Sequence, residues 1–110
     1  MINYDDIGTM LNGITELAGR VRYGLWPESE APVPPFATYD LPSEDAFGAD
    51  NKRYFASKAA QIHLATASRS FTLEGTVEAK LDLNGVYYDK QADYDNAEKV
   101  WIITYSFEAL

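Results

Sequence analysis

A chain of 110 residues with 46% hydrophobic residues is long and apolar enough to fold around one core, which predicts a single domain over residues 1–110. The sequence contains no cysteine, which excludes a disulfide framework, a thiolate zinc site and an iron–sulfur cluster. A formal net charge of −8 disfavours binding to nucleic-acid phosphates, since such binding needs a basic surface.

The first predicted element is a helix over residues 4–19. Its apolar residues follow the i, i+3, i+4, i+7 spacing of one helical face: Ile7, Met10, Leu11, Ile14, Leu17, Ala18 and Val21. Asp5 or Asp6 is placed to cap the first free amides of this helix. Gly8 and Gly13 each weaken a helix by about 1 kcal/mol relative to alanine, so we expect the helix to depend on docking against the rest of the chain.

Three strands are predicted in the middle of the chain. The first two are RVRYGLW (20–26) and FATYDL (36–41), and we expect them to pair. The third is RYFASKAAQIHLAT (53–66), which carries apolar residues on both of its faces. Such a strand is typical of a central position in a sheet.

The segment WPESEAPVPPF (26–36) separates the first two strands and contains four prolines and two glutamates. Proline fixes its own φ and has no backbone N–H, so it cannot lie inside a helix or a central strand. We therefore expect this proline segment to be an extended loop that projects from the domain.

A second helix is predicted over residues 69–83, followed by two strands over 86–94 and 99–107 with a tight DNAE connection. The helix has an apolar row and an acidic row, which are Leu73, Val77 and Leu81, and Glu74, Glu78 and Asp82. Asn84 and Gly85 are predicted to end it. This order of elements predicts an α+β fold, with a mixed or mainly antiparallel sheet of about five strands and two helices packed on one face.

The sequence assigns no catalytic, cofactor-binding or metal-binding residue. The one histidine, His63, has no nucleophile or orienting carboxylate at a recognisable spacing, and we interpret it as a structural or interface residue. The acidic stretch DYDNAE (93–98) lacks the central glycine of a calcium loop, which favours a hairpin turn. The sequence does not exclude a glycosidase-type pair of carboxylates, because the distance between the two carboxylates in the folded chain decides whether such a site exists.

The order of several features resembles the small tail-terminator, or tail-completion, proteins of siphophages and prophages of Gram-positive bacteria. In that group a proline-rich loop leads to a strand, an Asp-Asn-Lys turn precedes a long strand, and a glycine-capped helix precedes an aromatic pair. The matching features are Pro34 and Pro35, Phe47 with Asp50 to Lys52, Gly85 with Tyr87 and Tyr88, and Glu98 with Lys99. The likeness covers roughly residues 30–108, and ATASRSFTLE departs from the family's charged helix start.

The resemblance implies a structural virion protein with no catalysis and no cofactor. Its copies would form a ring, commonly a hexamer, that caps the tail tube and joins the tail to the head connector. The protein would be located in the virion tail, and in the host cytoplasm during assembly. DNA would pass through the ring without sequence-specific binding, because acidic walls repel phosphates over a Debye length of about 8–10 Å.

A ring requires two different, matching patches on each subunit. The proline segment is suited to be one of them, because preset backbone angles reduce the entropy lost on docking. The residues predicted to lie at the subunit interface are Trp26, Glu28, Glu30, Pro32, Pro34, Asp45, Asp50, Lys52 and Arg53.

Three alternative functions stay open. A head–tail joining or head-closure protein shares the small ring-forming architecture, and an acidic cytoplasmic module that mimics DNA would capture a basic partner as a monomer or dimer. An enzyme would need His63 clustered with carboxylates in a pocket. We expect no membrane interaction and no secretory signal, because no apolar run approaches about 18–20 residues and the N-terminus has no basic region.

Overall fold

A computed structural model describes residues 2–24, 26, 32–43 and 58–109. The helices are α1 (Ile7–Asn12) and α2 (Phe71–Leu83), and two 3-10 turns flank α1 at Tyr4–Asp6 and Thr15–Leu17. The strands are β1 (Val21–Tyr23), β2 (Phe36–Ser43), β3 (Lys58–Thr66), β4 (Tyr88–Asp95) and β5 (Val100–Ala109). The two helices and five strands of these described residues confirm the predicted α+β fold, and none of the described helices is long and apolar enough to cross a membrane.

The five strands form one mixed sheet in the order β1-β2-β3-β5-β4. β1 pairs with β2 in parallel, and every other neighbouring pair is antiparallel. The expected pairing of the first two strands and the central position of β3 are therefore confirmed. The two lateral edges of the sheet are β1, with only three residues, and β4, with eight.

Both helices pack on the same face of the sheet. Because side chains alternate along a strand, the β3 residues with even numbers face the helices, and register places Ile62 opposite Tyr105 and Leu64 opposite Ile103. The fully buried members of this core are Ile7, Leu11, Leu17, Ala37, Ile62, Leu64, Val77, Leu81, Ile103, Tyr105 and Ala109. Their burial supplies most of the stabilisation, at about 25 cal/mol per Å² of apolar surface removed from water.

The first helix is shorter than predicted. A continuous helix over 4–19 is wrong, because α1 ends at Asn12 with Gly13 as its C-cap and a separate 3-10 turn follows. Capping by Asp5 or Asp6 is also wrong. The 3-10 turn leads directly into α1 and gives Asp6 a helical backbone (φ −93°, ψ −5°), so Asp6 does not have the extended conformation that an N-cap side chain needs.

Gly8 is buried in α1 and allows the ring of Tyr39 in β2 to approach the helix closely. A Cβ atom at residue 8 would lie 2.7 Å from the Tyr39 hydroxyl oxygen. Gly75 in α2 is also helical, but nothing lies within 4 Å of the position of its Cβ. A substitution at Gly75 therefore reports on helix propensity alone, whereas one at Gly8 also reports on packing against Tyr39.

We predict opposite effects for alanine at these two positions. Gly75→Ala should raise the free energy of unfolding by about 0.5–1 kcal/mol, because alanine favours the helix. Gly8→Ala should instead lower it by about 1–3 kcal/mol, because the added methyl group overpacks the contact with Tyr39. Urea unfolding followed by circular dichroism measures both values, and an equal gain at both positions would contradict the tight packing at Gly8.

The two ends of α2 carry residues that are typical helix caps. Ser70 is its N-cap, and the Ser70 hydroxyl oxygen accepts a hydrogen bond of 3.2 Å from the Leu73 amide. Asn84 is the C-cap and Gly85 follows with φ +67°, which confirms the predicted end of the helix.

The acidic row of α2 is only partly exposed to solvent, since Asp82 is exposed, Glu78 half-buried and Glu74 buried. Glu74 is 1% exposed, and its carboxylate lies among cations from outside the helix. Arg69 binds it through two hydrogen bonds of 2.9 Å, and the Lys90 ammonium lies 2.9 Å from Glu74 Oε1. A buried carboxylate is tolerated only with such compensation.

The same network continues to the next turn of α2. Lys90 also lies 2.6 Å from Glu78 Oε2, and the buried Tyr105 hydroxyl donates a 2.9 Å hydrogen bond to that oxygen. Four parts of the chain are thereby joined: the loop before α2, α2 itself, β4 and β5. The network fixes the helix against the sheet at one rotation about its own axis.

The hydrogen bonds from Arg69 lower the pKa of Glu74, with a further contribution from Lys90, against the opposing effect of burial. Burial and the hydrogen bond to Glu78 raise the pKa of the Tyr105 hydroxyl. Glu74 is therefore ionised, and Tyr105 protonated, at neutral pH.

Replacing Glu74 tests how much stability depends on this network. Glu74→Gln leaves Arg69 and Lys90 without their shared anion, so we expect the free energy of unfolding to fall by about 3 kcal/mol. Urea unfolding at neutral pH measures the loss. Glu16→Gln is the matched control on an exposed carboxylate and should change stability by no more than about 0.5 kcal/mol.

The lowered pKa also predicts a pH dependence. Because the pKa of Glu74 is lower in the folded than in the unfolded chain, its carboxylate stabilises the fold above the ordinary glutamate value of 4.5. That contribution is lost as the pH falls through the lowered folded value. The difference in unfolding free energy between wild type and Glu74→Gln should be constant near neutral pH and shrink in acid, and a difference that widens in acid would refute the assignment.

Candidate functional site

The predicted subunit interface falls only partly within the described residues. Trp26, Pro32 and Pro34 are described. The six others lie outside the described residues: Glu28, Glu30, Asp45, Asp50, Lys52 and Arg53. For all nine, contact with a neighbouring subunit stays a prediction.

The C-terminal end of the proline segment is attached to the start of β1. The Arg20 guanidinium donates a 2.7 Å hydrogen bond to the carbonyl oxygen of Val33, and the Ala37 amide donates to the carbonyl of Arg20. Val33 is nevertheless 73% exposed, and the peptide bond between Pro34 and Pro35 is cis. The segment thus presents an apolar side chain to solvent from a fixed position at the β1 edge.

Two aromatic side chains lie close to this edge of the sheet. The guanidinium of Arg22 lies 5.6 Å from the ring centre of Trp26, whose indole nitrogen is buried without a partner among the described residues. Tyr23 is 55% exposed and packs edge-on against Tyr39, with ring centres 5.4 Å apart. The β1 edge therefore carries both an aromatic and an aliphatic exposed group.

A second exposed apolar surface is formed by residues of β4, β5 and the start of α2. Tyr94 packs edge-on against Trp101 with ring centres 5.3 Å apart, and the guanidinium of Arg69 lies 5.3 Å from Trp101 and 4.7 Å from Phe71. Phe71 is 70% and Tyr94 44% exposed. We call Phe71, Tyr94 and Trp101, with Arg69 between the rings, the aromatic patch.

Two further exposed apolar residues lie at the other end of α2. Leu83 is 81% exposed and Tyr87 is 97% exposed, on either side of the turn that ends the helix. Neither belongs to the aromatic patch, so they provide a comparison with it.

The outer face of the sheet, away from the helices, brings partners to His63. Its Nε2 lies 3.5 Å from Asp40 Oδ2 on β2, and its Nδ1 lies 3.2 Å from the Thr104 hydroxyl on β5. Strand register places Thr104 directly opposite His63, whereas Asp40 pairs with Gln61 and is therefore diagonal to His63. The three residues form an oblique row that the sequence spacing did not reveal. The prediction that His63 is a strand histidine is confirmed, but its carboxylate and hydroxyl neighbours were missed.

This row has the residue types of a nucleophile, a base and an orienting acid, but not the surroundings that acyl transfer needs. Thr104 lies on β5 between β3 and β4, so its backbone amide belongs to the sheet ladder and does not face a developing oxyanion. Two clefts in the described part of the chain, of 290 and 230 Å³, are lined by other residues. The row therefore orients His63 on a polar surface.

The acidic connection between β4 and β5 is a hairpin turn, as interpreted from the sequence. The Asp95 carboxylate accepts hydrogen bonds from the amides of Ala97 and Glu98, at 2.9 and 3.2 Å, and Lys99 has φ +58°. In the described part of the chain, no three histidine or carboxylate side chains form a group able to hold a metal ion.

Comparison of the chain with known protein families, with curated proteins and with solved structures gave no match.

Proposed function

We propose that this protein is a structural assembly component of the tail-terminator type. Its copies form a ring, a hexamer by resemblance, which caps a phage or prophage tail tube and joins the tail to the head connector. The ring acts by shape and contact and involves no reaction. The order of sequence features over residues 30–108 supports this proposal.

The placement of exposed apolar groups supports it further. Tyr23 lies on β1 and Tyr94 on β4, the two strands at opposite lateral edges of the sheet, and they are 55% and 44% exposed. A ring grows by contacts between two different patches of the same subunit, whereas a twofold dimer uses one patch twice. Apolar groups on both edges are the observation that carries the proposal.

The charge of the chain is compatible with DNA passage. With 17 acidic and 9 basic residues, a ring of many copies has a strongly negative field that repels DNA phosphates. The same charge would also suit a DNA-mimicking module that captures a basic partner. The two functions differ in assembly, because the mimic acts as a monomer or dimer.

Oligomeric state distinguishes the proposed functions. Size-exclusion chromatography with light scattering should give one discrete species of several subunits, and negative-stain electron microscopy should show rings. When mixed with the tail-tube protein of the same phage or prophage, the protein should bind tube ends and limit tube length. A monomer or dimer at every concentration, both alone and with the tube protein, would overturn the proposal. Rings that bind the head connector but not tube ends would favour the head-closure function.

A further inference from the structure

We infer that Asn12-Gly13 and Asn84-Gly85 are two sites of spontaneous deamidation that the fold keeps unreactive, and that each site reacts when the helix that it ends has opened. Asparagine is followed by glycine at these two positions alone. Asn12 is the last residue of α1, and Asn84 is the C-cap of α2. The inference concerns the covalent chemistry of the chain and does not depend on the proposed function.

Deamidation begins when the backbone nitrogen of the next residue attacks the side-chain carbonyl carbon of asparagine. A new carbon–nitrogen bond closes a five-membered succinimide ring, and the side-chain nitrogen leaves as ammonia with the proton that the backbone nitrogen gives up. Water then opens the ring at either of its two carbonyl carbons, which leaves aspartate or isoaspartate. Glycine favours the first step because it has no side chain to hinder the attack and because its backbone adopts many conformations.

The structure holds the side-chain amide of Asn84 away from its attacking nitrogen. Asn84 Nδ2 donates a 2.8 Å hydrogen bond to the carbonyl oxygen of Lys80, one turn earlier in α2, and lies 3.6 Å from the sulfur of Met10. The Gly85 nitrogen donates a 3.0 Å hydrogen bond to the carbonyl oxygen of Asp82. Ring closure therefore requires both hydrogen bonds to break and the Asn84 ψ to leave its value of +7°.

Asn12 is held by both atoms of its side-chain amide. Its Nδ2 donates a 2.9 Å hydrogen bond to the carbonyl oxygen of Gly8, and its Oδ1 accepts one of 3.0 Å from the Gly19 amide. The attacking nitrogen of Gly13 donates to two carbonyl oxygens of α1, at 3.1 and 3.2 Å. The ends of both helices thus combine a bonded asparagine side chain with a bonded glycine nitrogen.

The two sites have almost the same local sequence but different structural support. Both read Leu-Asn-Gly followed by a β-branched residue, Ile14 or Val86, so they should react at similar rates in the unfolded chain. In the folded chain, Asn12 is exposed and ends a helix of six residues, whereas Asn84 is half-buried and ends one of thirteen. Because a short helix opens more readily than a long one, we expect Asn12 to react first.

The product of the reaction cannot restore the native helix ends. Aspartate and isoaspartate carry a carboxylate in place of the amide, so neither can donate the hydrogen bond to the carbonyl oxygen of Gly8 or Lys80. A negative charge at the C-terminal end of a helix also opposes the helix dipole. A chain that stays unfolded long enough to deamidate therefore refolds to a less stable state, and its unfolding becomes progressively irreversible.

Peptide mapping by mass spectrometry measures the reaction at each site. Wild-type protein is incubated at mildly alkaline pH, where the attacking nitrogen loses its proton more readily, in buffer and in parallel in guanidinium chloride. Deamidation replaces NH₂ by OH and so changes the peptide mass, and chromatography separates the isoaspartyl form. Asn3, Asn51 and Asn96, which no glycine follows, are internal controls in the same digest.

In denaturant, we expect Asn12 and Asn84 to react at similar rates, and both to react faster than the three control asparagines. In buffer, both rates should fall by about tenfold or more, because the reaction then waits for the helix ends to open. Asn12 should be modified before Asn84 under these conditions.

Two aspartate variants test the effect of the product on the folded chain. Asn84→Asp should unfold at a lower urea concentration than wild type, because it loses the donor to Lys80 and adds a charge at the helix end. Asn96→Asp is the matched control, since Asn96 is exposed in the turn between β4 and β5, and it should leave the midpoint unchanged.

If each site reacts as fast in buffer as in denaturant, the fold gives no protection and the inference is overturned. Faster reaction at Asn84 than at Asn12 in buffer would also overturn it, as would equal rates for all asparagines in denaturant. An unchanged unfolding midpoint for Asn84→Asp would refute the structural role of that side-chain amide. None of these results depends on oligomeric state, so a failure here leaves the proposed function to its own test.

Discussion

The organisation of this fold depends on one buried carboxylate. Glu74 lies between α2 and the sheet, where an unpaired charge would cost several kcal/mol, so its position requires both Arg69 and Lys90. These two cations come from the loop before the helix and from the edge strand β4. The ion pairs of Glu74 thus fix the rotation of α2 about its own axis and attach β4 to the helix. They also hold the Arg69 guanidinium close to the rings of Phe71 and Trp101. The packing of the core and the position of Arg69 in the aromatic patch therefore both depend on the ion pairs of Glu74.

Much of the fold was predictable because its signals are local. The alternation in β5, the row of apolar residues in α2 and the Asn84-Gly85 pair each specify a conformation within a few residues. The role of Glu74 was not predictable in this way. A helical wheel assigns an acidic row to solvent, and Lys90, which reverses that assignment, lies sixteen residues away on a strand whose register is set by pairing with β5.

The candidate site likewise has one part that local sequence signals predicted and another part that they did not. The proline segment was predicted as a contact surface because composition alone restricts its backbone. The aromatic patch was missed, since Phe71, Tyr94 and Trp101 come from three elements and meet only once β4 and β5 have paired and α2 has docked. A hairpin with DNAE (95–98) as its loop would have placed Tyr94 opposite Lys99, whereas the observed register pairs Tyr94 with Trp101. The neighbours of His63 needed the pairing of β3 with both β2 and β5.

The two edges of the sheet limit how copies of this chain can associate. β1 offers only three residues to an incoming strand, and β4 carries charged side chains at Asp89, Lys90, Asp93 and Asp95. Short and charged edges discourage unlimited strand addition between molecules. In the ring that we propose, contact between copies depends on discrete side-chain surfaces, which saturate once every subunit has a neighbour on each side. Such a ring would end the growth of a polymer without becoming one itself.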